Sequence, residues 1–130
     1  MHKKELGNLG ENIACCFLKR KGYKILERNY LKKWAKKQKG EIDIIAKKDK
    51  VISFIEVKTL TFSPTHNLNF LPIDKINFKK QKKLIKTAQS WLLENRIPLD
   101  SKWQIDVISI IISPINKKAK ISHFKNVVSY

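Results

Sequence analysis

Within Gly40–Thr59 of this 130-residue chain, GEIDIIAKKDKVISFIEVKT, charged side chains interrupt two apolar, β-branched runs. The runs, Ile42–Ala46 and Val51–Val57, have strand length and flank the polar Lys47-Lys48-Asp49-Lys50, so a hairpin is expected. Glu41 and Asp43 sit in the first run and Glu56 and Lys58 in or beside the second. Carboxylates in such a frame are costly unless they are paired or hold a cation. Residues two apart in a strand share a face, so Glu41 goes with Asp43 and Glu56 with Lys58. A turn centred between Lys48 and Asp49 pairs Lys47 with Lys50. It sets Asp43 opposite Phe54 and Glu41 opposite Glu56. All four charged groups then lie on one side, with Asp43 and Glu56 diagonal neighbours about 7–8 Å apart.

Carboxylates gathered beside an ammonium suit a hard divalent cation, Mg²⁺ or Mn²⁺, held through oxygen. The chemistry would be hydrolysis of a phosphate ester: a cation polarises the phosphate and acidifies water, and a lysine balances the charge that develops. The alternative is a surface hairpin whose carboxylates merely pair with neighbouring lysines.

Asp43, Glu56 and Lys58 resemble the Asp…Glu-X-Lys signature of the PD-(D/E)XK, restriction-endonuclease-like superfamily. The chain further resembles the small bacterial YraN-like family. The matching motifs are Gly7-Asn8-Leu9-Gly10-Glu11-Asn12-Ile13-Ala14, Gly40-Glu41-Ile42-Asp43 and Phe54-Ile55-Glu56-Val57-Lys58, followed by Lys80-Gln81 and Asp106-Val107. The resemblance implies an α/β fold with a mixed central sheet of about five strands flanked by helices. It implies Mg²⁺ or Mn²⁺ held by Asp43, Glu56 and the Val57 carbonyl, with Glu11 completing the site. Gln81 falls where related nucleases place a supporting glutamine. The superfamily's proline is absent, Ile42 standing before Asp43, and Gln104 stands where relatives carry arginine. Related junction resolvases share the first-helix glutamate, which points to branched DNA.

The rest of the chain must position these groups. Lys3 to about Arg20 reads as a helix with an apolar stripe, Leu6, Leu9, Ile13 and Phe17. Glu11 falls at the edge of its buried face, where it is either a site residue or an ordinary helix glutamate. Gly7 and Gly10 would let the helix approach the sheet. Cys15 and Cys16 are adjacent and suit small buried hydrophobes rather than a disulfide. With scattered histidines, they make a zinc site improbable. Tyr23–Tyr30 is the first expected strand. Lys32–Lys39 reads as a basic loop around Trp34, a ring for stacking on bases or for packing. Leu60–Pro72 reads as a loop, either a flap over substrate or a slack connection. Asp74 is the expected cap of a helix from Lys75 to about Asn95, with stripe Leu84, Ile85, Ala88, Trp91 and Leu92. Trp103–Ile112 is a strongly apolar strand carrying the single acid Asp106, which pairs with Lys or Arg or reaches the site from a distance. Ala119–Phe124 pairs with it. The helical crossover from the Glu56 strand should make the two strands it joins parallel, with right-handed connection.

The formal net charge of +17 suits a polyanionic partner, above all nucleic acid, with DNA favoured over RNA. Lysine-rich composition from an AT-rich genome is the other source of such charge. Lys79, Lys80, Lys82 and Lys83 on the second helix, with Lys36 and Lys37 in the basic loop, are the candidate phosphate contacts. No apolar run approaches a membrane span and no signal-peptide core opens the chain, so a cytoplasmic protein of one domain, residues 1–130, is expected. The functional expectation is a Mg²⁺-dependent nuclease. The alternatives are a catalytically silent nucleic-acid-binding protein with the same fold, or a ribosome-associated protein.

Overall fold

A computed structural model describes residues 2–62 and 77–128. The elements are α1 (Lys3–Arg20), β1 (Lys24–Ala35), β2 (Gln38–Lys48), β3 (Val51–Thr61), α2 (Phe78–Glu94), β4 (Trp103–Ile112) and β5 (Ala119–Phe124). The five strands form one sheet in sequence order. Three pairings are antiparallel, and β3 and β4, joined through α2, are parallel. This mixed sheet with its helices matches the expected restriction-endonuclease-like architecture.

Alternation along the strands builds two cores, one on each face. Ile52 and Phe54 of β3 pack with Ile105 and Val107 of β4 and with Leu84, Ala88, Trp91 and Leu92 of α2. Ile55 packs with Ile108 and Ile110 and with Ala14, Cys15 and Leu18 of α1. The two helices therefore cover opposite faces. Even-numbered Glu56 and Lys58 follow Phe54 onto the α2 side.

Several expectations are corrected. The β2–β3 turn is Asp49-Lys50, both with positive φ (51° and 67°), as a type I′ hairpin turn requires. Lys48 therefore pairs with Val51 and Ile45 with Phe54, so the register is two residues from the one expected. A slip of two preserves faces along the paired stretch, but the ladder ends at Ile44–Ile55 and the strand twists beyond it, Ile42 and Ile44 entering opposite cores. β1 begins at Lys24 and runs to Ala35, so Lys32–Lys39 is a β-hairpin rather than a loop. α2 starts at Phe78, capped by Asn77, whose side chain accepts from the Lys80 N–H. Asp74 and most of the expected Leu60–Pro72 loop lie outside the described residues. Cys15 is buried as expected, but Cys16 is exposed.

The glycines of α1 differ. The centre of the buried face is Gly10, Ala14 and Leu18, flanked by Leu6, Leu9, Ile13 and Phe17. A Cβ on Gly10 would meet Thr59 Oγ1 at 1.8 Å, whereas one on Gly7 meets nothing within 4 Å. Gly10 alone gives the close approach that was expected of both. Gly7→Ala should therefore stabilise the protein by up to ~1 kcal/mol through helix propensity. Gly10→Ala should destabilise it by ~1–3 kcal/mol, because helix and strand must part. Thermal melts of the two variants, shifting in opposite directions, check this.

Candidate functional site

The site is made where β2 leaves β3. Their ladder ends at the pair Ile44–Ile55. One residue on, Asp43 Oδ2 accepts a hydrogen bond from the Val57 N–H at 2.7 Å, so a side chain replaces the ladder. The divergence opens a cavity of about 270 Å³ lined by Lys39, Gly40, Glu41, Asp43, Glu56, Lys80, Lys83 and Leu84. Asp43 and Glu56 thus face one space from adjacent strands. Glu56 is 14% exposed and meets Lys80 Nζ at 2.5 Å and Lys58 Nζ at 3.4 Å.

Asp43 carries the electrostatic tension of the site. Burial, with added repulsion from Glu56, Glu11 and Glu41, pushes its pKa up to about 6, and the Val57 N–H only partly opposes this. Glu11, on α1, is 15% exposed, with Arg28 Nη2 at 3.7 Å, while Arg28 also donates to Asn12 Oδ1 at 2.9 Å. Burial works against the charge on Lys80, yet Glu56 outweighs it and holds that ammonium above its ordinary range.

The sequence-derived residues separate into groups. Asp43, Glu56, Lys80 and Lys83 come together around the cavity. Lys58 joins them through Glu56, and Glu11 acts on Asp43 electrostatically. Lys80, a candidate phosphate contact, meets Glu56. Lys79 and Lys82 are exposed on α2, Lys82 lying over the Phe78 ring. Lys36 and Lys37 form the exposed β1–β2 turn. α2 lines the cavity through Lys80, Lys83 and Leu84 rather than Gln81. Trp34 has a packing role, with Lys86 Nζ 4.4 Å from its ring centroid and the Gly40 backbone beside it.

Asp106 lies apart from the cavity. It is fully buried, and its partners are His123 Nε2 at 2.8 Å, the Gln104 amide at 3.0 Å and the Asn126 N–H at 2.9 Å. The expected Lys or Arg partner is a histidine, and Gln104 donates to Asp106 directly. Arg28 beside Glu11 and His123 beside Asp106 were not foreseen. The one available signal was a histidine in the strand expected to pair with the Asp106 strand.

The donor set is open. Among the described residues no three of His, Cys, Asp and Glu converge into a closed metal cluster. Carboxylates on the wall of an open polar cavity, Asp43 and Glu56 with Glu41 beside them, do not suit a structural zinc, but they suit Mg²⁺, which commonly takes one or two carboxylates and keeps its waters. Burial is the main cause of the raised Asp43 pKa, and a cation there would offset the repulsion that Glu56, Glu11 and Glu41 add to it.

The chain matches the model of a family described as "Uncharacterised protein family UPF0102" over residues 10–110. It is 41% identical over 127 residues to a UPF0102 protein of Clostridium botulinum, strain 657, covering 95% of this chain and 93% of the relative. It is 39% identical over 129 residues to a UPF0102 protein of Geobacter metallireducens, covering 97% and 93%. A UPF0102 protein of Alkaliphilus oremlandii is 39% identical over 123 residues, covering 95% and 97%. With the family model spanning most of its length and relatives aligned nearly end to end, this chain belongs to the uncharacterised protein family UPF0102.

Proposed function

We propose that the protein is a metal-dependent nuclease that hydrolyses phosphodiester bonds in nucleic acid, with DNA favoured over RNA. The observation that carries this reading is Asp43: a carboxylate sequestered where two strands part, facing Glu56, with its pKa pushed up to about 6. Carboxylates in a cleft, with a pKa shifted by burial and like charge, are concentrated at functional sites. Asp43 and Glu56, with the Val57 carbonyl, would hold Mg²⁺ or Mn²⁺. When bound, that ion supplies Lewis acidity at a phosphate oxygen and lowers the pKa of water. Lys58, whose ammonium lies beside Glu56, would offset charge growing on the phosphoryl oxygens. Glu11 raises the negative potential at Asp43 from the α1 side, and Arg28 limits that charge. Lys83 and Lys39 on the rim would draw the phosphate backbone inward.

One observation favours a second reading, a nucleic-acid-binding protein without catalysis. Glu56 already has two ammonium partners, so its charge needs no metal. Incubation with Mg²⁺ or Mn²⁺ and a panel of single-stranded, duplex and branched DNA and RNA separates the two. The nuclease reading expects metal-dependent cleavage that falls at least 100-fold in Lys58→Ala, with an unchanged melting temperature. Binding indifferent to metal, with no cleavage of any panel member, would favour the second.

A further inference from the structure

Once β2 leaves β3, it stays paired with β1 alone. The register runs on through Tyr30–Ile42, Leu31–Glu41, Lys32–Gly40 and Lys33–Lys39 to Ala35–Gln38. Tyr30–Ala35 and its partner strand thus form a two-stranded ribbon roughly 20 Å long at ~3.3 Å per residue. An isolated ribbon of this kind is marginal. Here α2 braces one side: a Cβ on Gly40 would meet Thr87 Oγ1 at 1.9 Å, and Lys86 sits over Trp34. The other side is exposed at Leu31, Lys33 and Ala35, and the turn at Lys36 and Lys37 is exposed too.

The charge on this ribbon is answered only in part: Lys32 meets Glu94 at 3.1 Å and Glu41 lies at its base, while Lys33, Lys36, Lys37 and Lys39 make no ion pair among the described residues. Residues 32–39 hold five lysines and no acid. Lys33 and Lys39 sit directly opposite each other, a like-charge pairing that costs stability. The same cavity wall holds Lys39 and the α2 residue Lys83 beside Asp43 and Glu56. A braced, positively charged ribbon beside a basic helix matches a polyanion of defined width.

We infer that the β1–β2 ribbon enters the major groove of B-form duplex DNA, through Lys33, Lys36, Lys37 and Lys39, while Lys79 and Lys83 of α2 take flanking phosphates. This rests on the nucleic-acid reading above and names its substrate class. A two-stranded ribbon fits the B-form major groove, about 12 Å wide. The A-form RNA major groove is too deep and narrow to admit it. Single strands call for outward aromatic platforms, and the ribbon's Trp34 is turned to α2.

The test uses full-length protein carrying Asp43→Asn, so that binding is read without cleavage. Affinity is measured across salt for one sequence as duplex DNA, duplex RNA and single-stranded DNA, with and without Lys33→Gln/Lys36→Gln/Lys37→Gln. The expected result is an at least tenfold loss on duplex DNA, a salt slope smaller by about 2–3, and less than threefold change on the other two. Equal loss on all three, or no loss on duplex DNA, would overturn the inference. Folding of the triple variant is read from its melting temperature. Independently of it, the parent should bind duplex carrying glucosylated 5-hydroxymethylcytosine, which fills the major groove, at least tenfold more weakly, and should tolerate a minor-groove-binding drug. The reverse pattern would also overturn it. Metal-dependent cleavage by the unsubstituted protein is scored separately, so loss of the nuclease reading and loss of the ribbon reading give different results.

Discussion

Asp43→Asn should abolish metal-dependent cleavage, by at least 1000-fold, and yet make the metal-free protein more stable at neutral pH. Both effects come from one carboxylate. Asparagine is nearly isosteric and keeps an oxygen to accept the Val57 N–H at the position Asp43 Oδ2 holds. It removes the anion that burial and Glu56, Glu11 and Glu41 all disfavour. The Asp43 pKa rises from 3.8 to about 6 on folding. A group raised in this way contributes stability that is fully present below its unfolded value and is lost as pH rises through the folded one. The metal-free protein should therefore lose stability between about pH 4 and pH 6. At about 1.4 kcal/mol per pH unit the ceiling is ~3 kcal/mol, and ~1–3 kcal/mol is the expected gain for Asp43→Asn at pH 7. At pH 4 the gain should shrink toward zero. Denaturant titrations of both proteins at the two pH values check this. Millimolar Mg²⁺ should raise the melting temperature of the parent and leave that of the variant in place. A variant that is less stable at pH 7 would show that the carboxylate is well compensated without metal, and would remove the main support for a cation site.

The physics explains which parts of this site were legible in the chain. Faces were readable along β3, where alternation holds and Glu56 and Lys58 share a side whatever the register, but less so on β2, where Ile42 and Ile44 enter opposite cores. Register was not, because Asp49-Lys50 lacks the Asn-Gly or Asp-Gly chemistry that marks a type I′ turn, and the true turn was displaced by one residue. The ribbon was hidden for another reason. In Leu31-Lys32-Lys33-Trp34-Ala35 the half-buried positions are Lys32 and Trp34. A lysine that buries its stem leaves no polar–apolar alternation to detect. α2 was readable from its stripe, yet its start waited on Asn77. The partners Lys80–Glu56 and Arg28–Glu11 join segments distant in sequence, and only the divergence of β2 from β3 and the approach of α1 at Gly10 bring them together. Local pattern could nominate Asp43, Glu56 and Lys58. It could not say that Lys80 would meet Glu56.

The largest stability loss among single substitutions is expected at Asp106, away from the cavity. Asp106→Ala should cost ~3–5 kcal/mol, because it removes the buried acceptor of three hydrogen bonds at once. The carboxylate is fully buried and joins three segments. On its own strand it takes the Gln104 amide; on β5 it takes His123; beyond β5 it takes the Asn126 N–H. Alanine leaves three donors without their acceptor; His123, enclosed beside the sheet, bears most of the desolvation cost, while Gln104 is half-buried and Asn126 is exposed. His123 is also packed against the rings of Phe17 and Tyr23, which keeps it from turning out to water. The Asn126 contact has a further consequence. Asn126 has φ 53°, and the chain then turns back so that the Val127 N–H donates to the Ile105 carbonyl and Val128 enters the α2-side core. Asp106 thus fastens the segment after β5 to the sheet. Its loss should lower the melting temperature by roughly 10–15 °C and speed amide exchange first at Asn126 and Val127. Asp106→Asn, which retains one acceptor, should lose about half as much. Cleavage assayed well below the melting transition should persist in Asp106→Asn, because this network lies on the α1 side of β4 and Asp43 and Glu56 open toward α2. Loss of cleavage in a folded Asp106→Asn protein would instead place Asp106 in the reaction, and the separation between the fastening network and the cavity would fail.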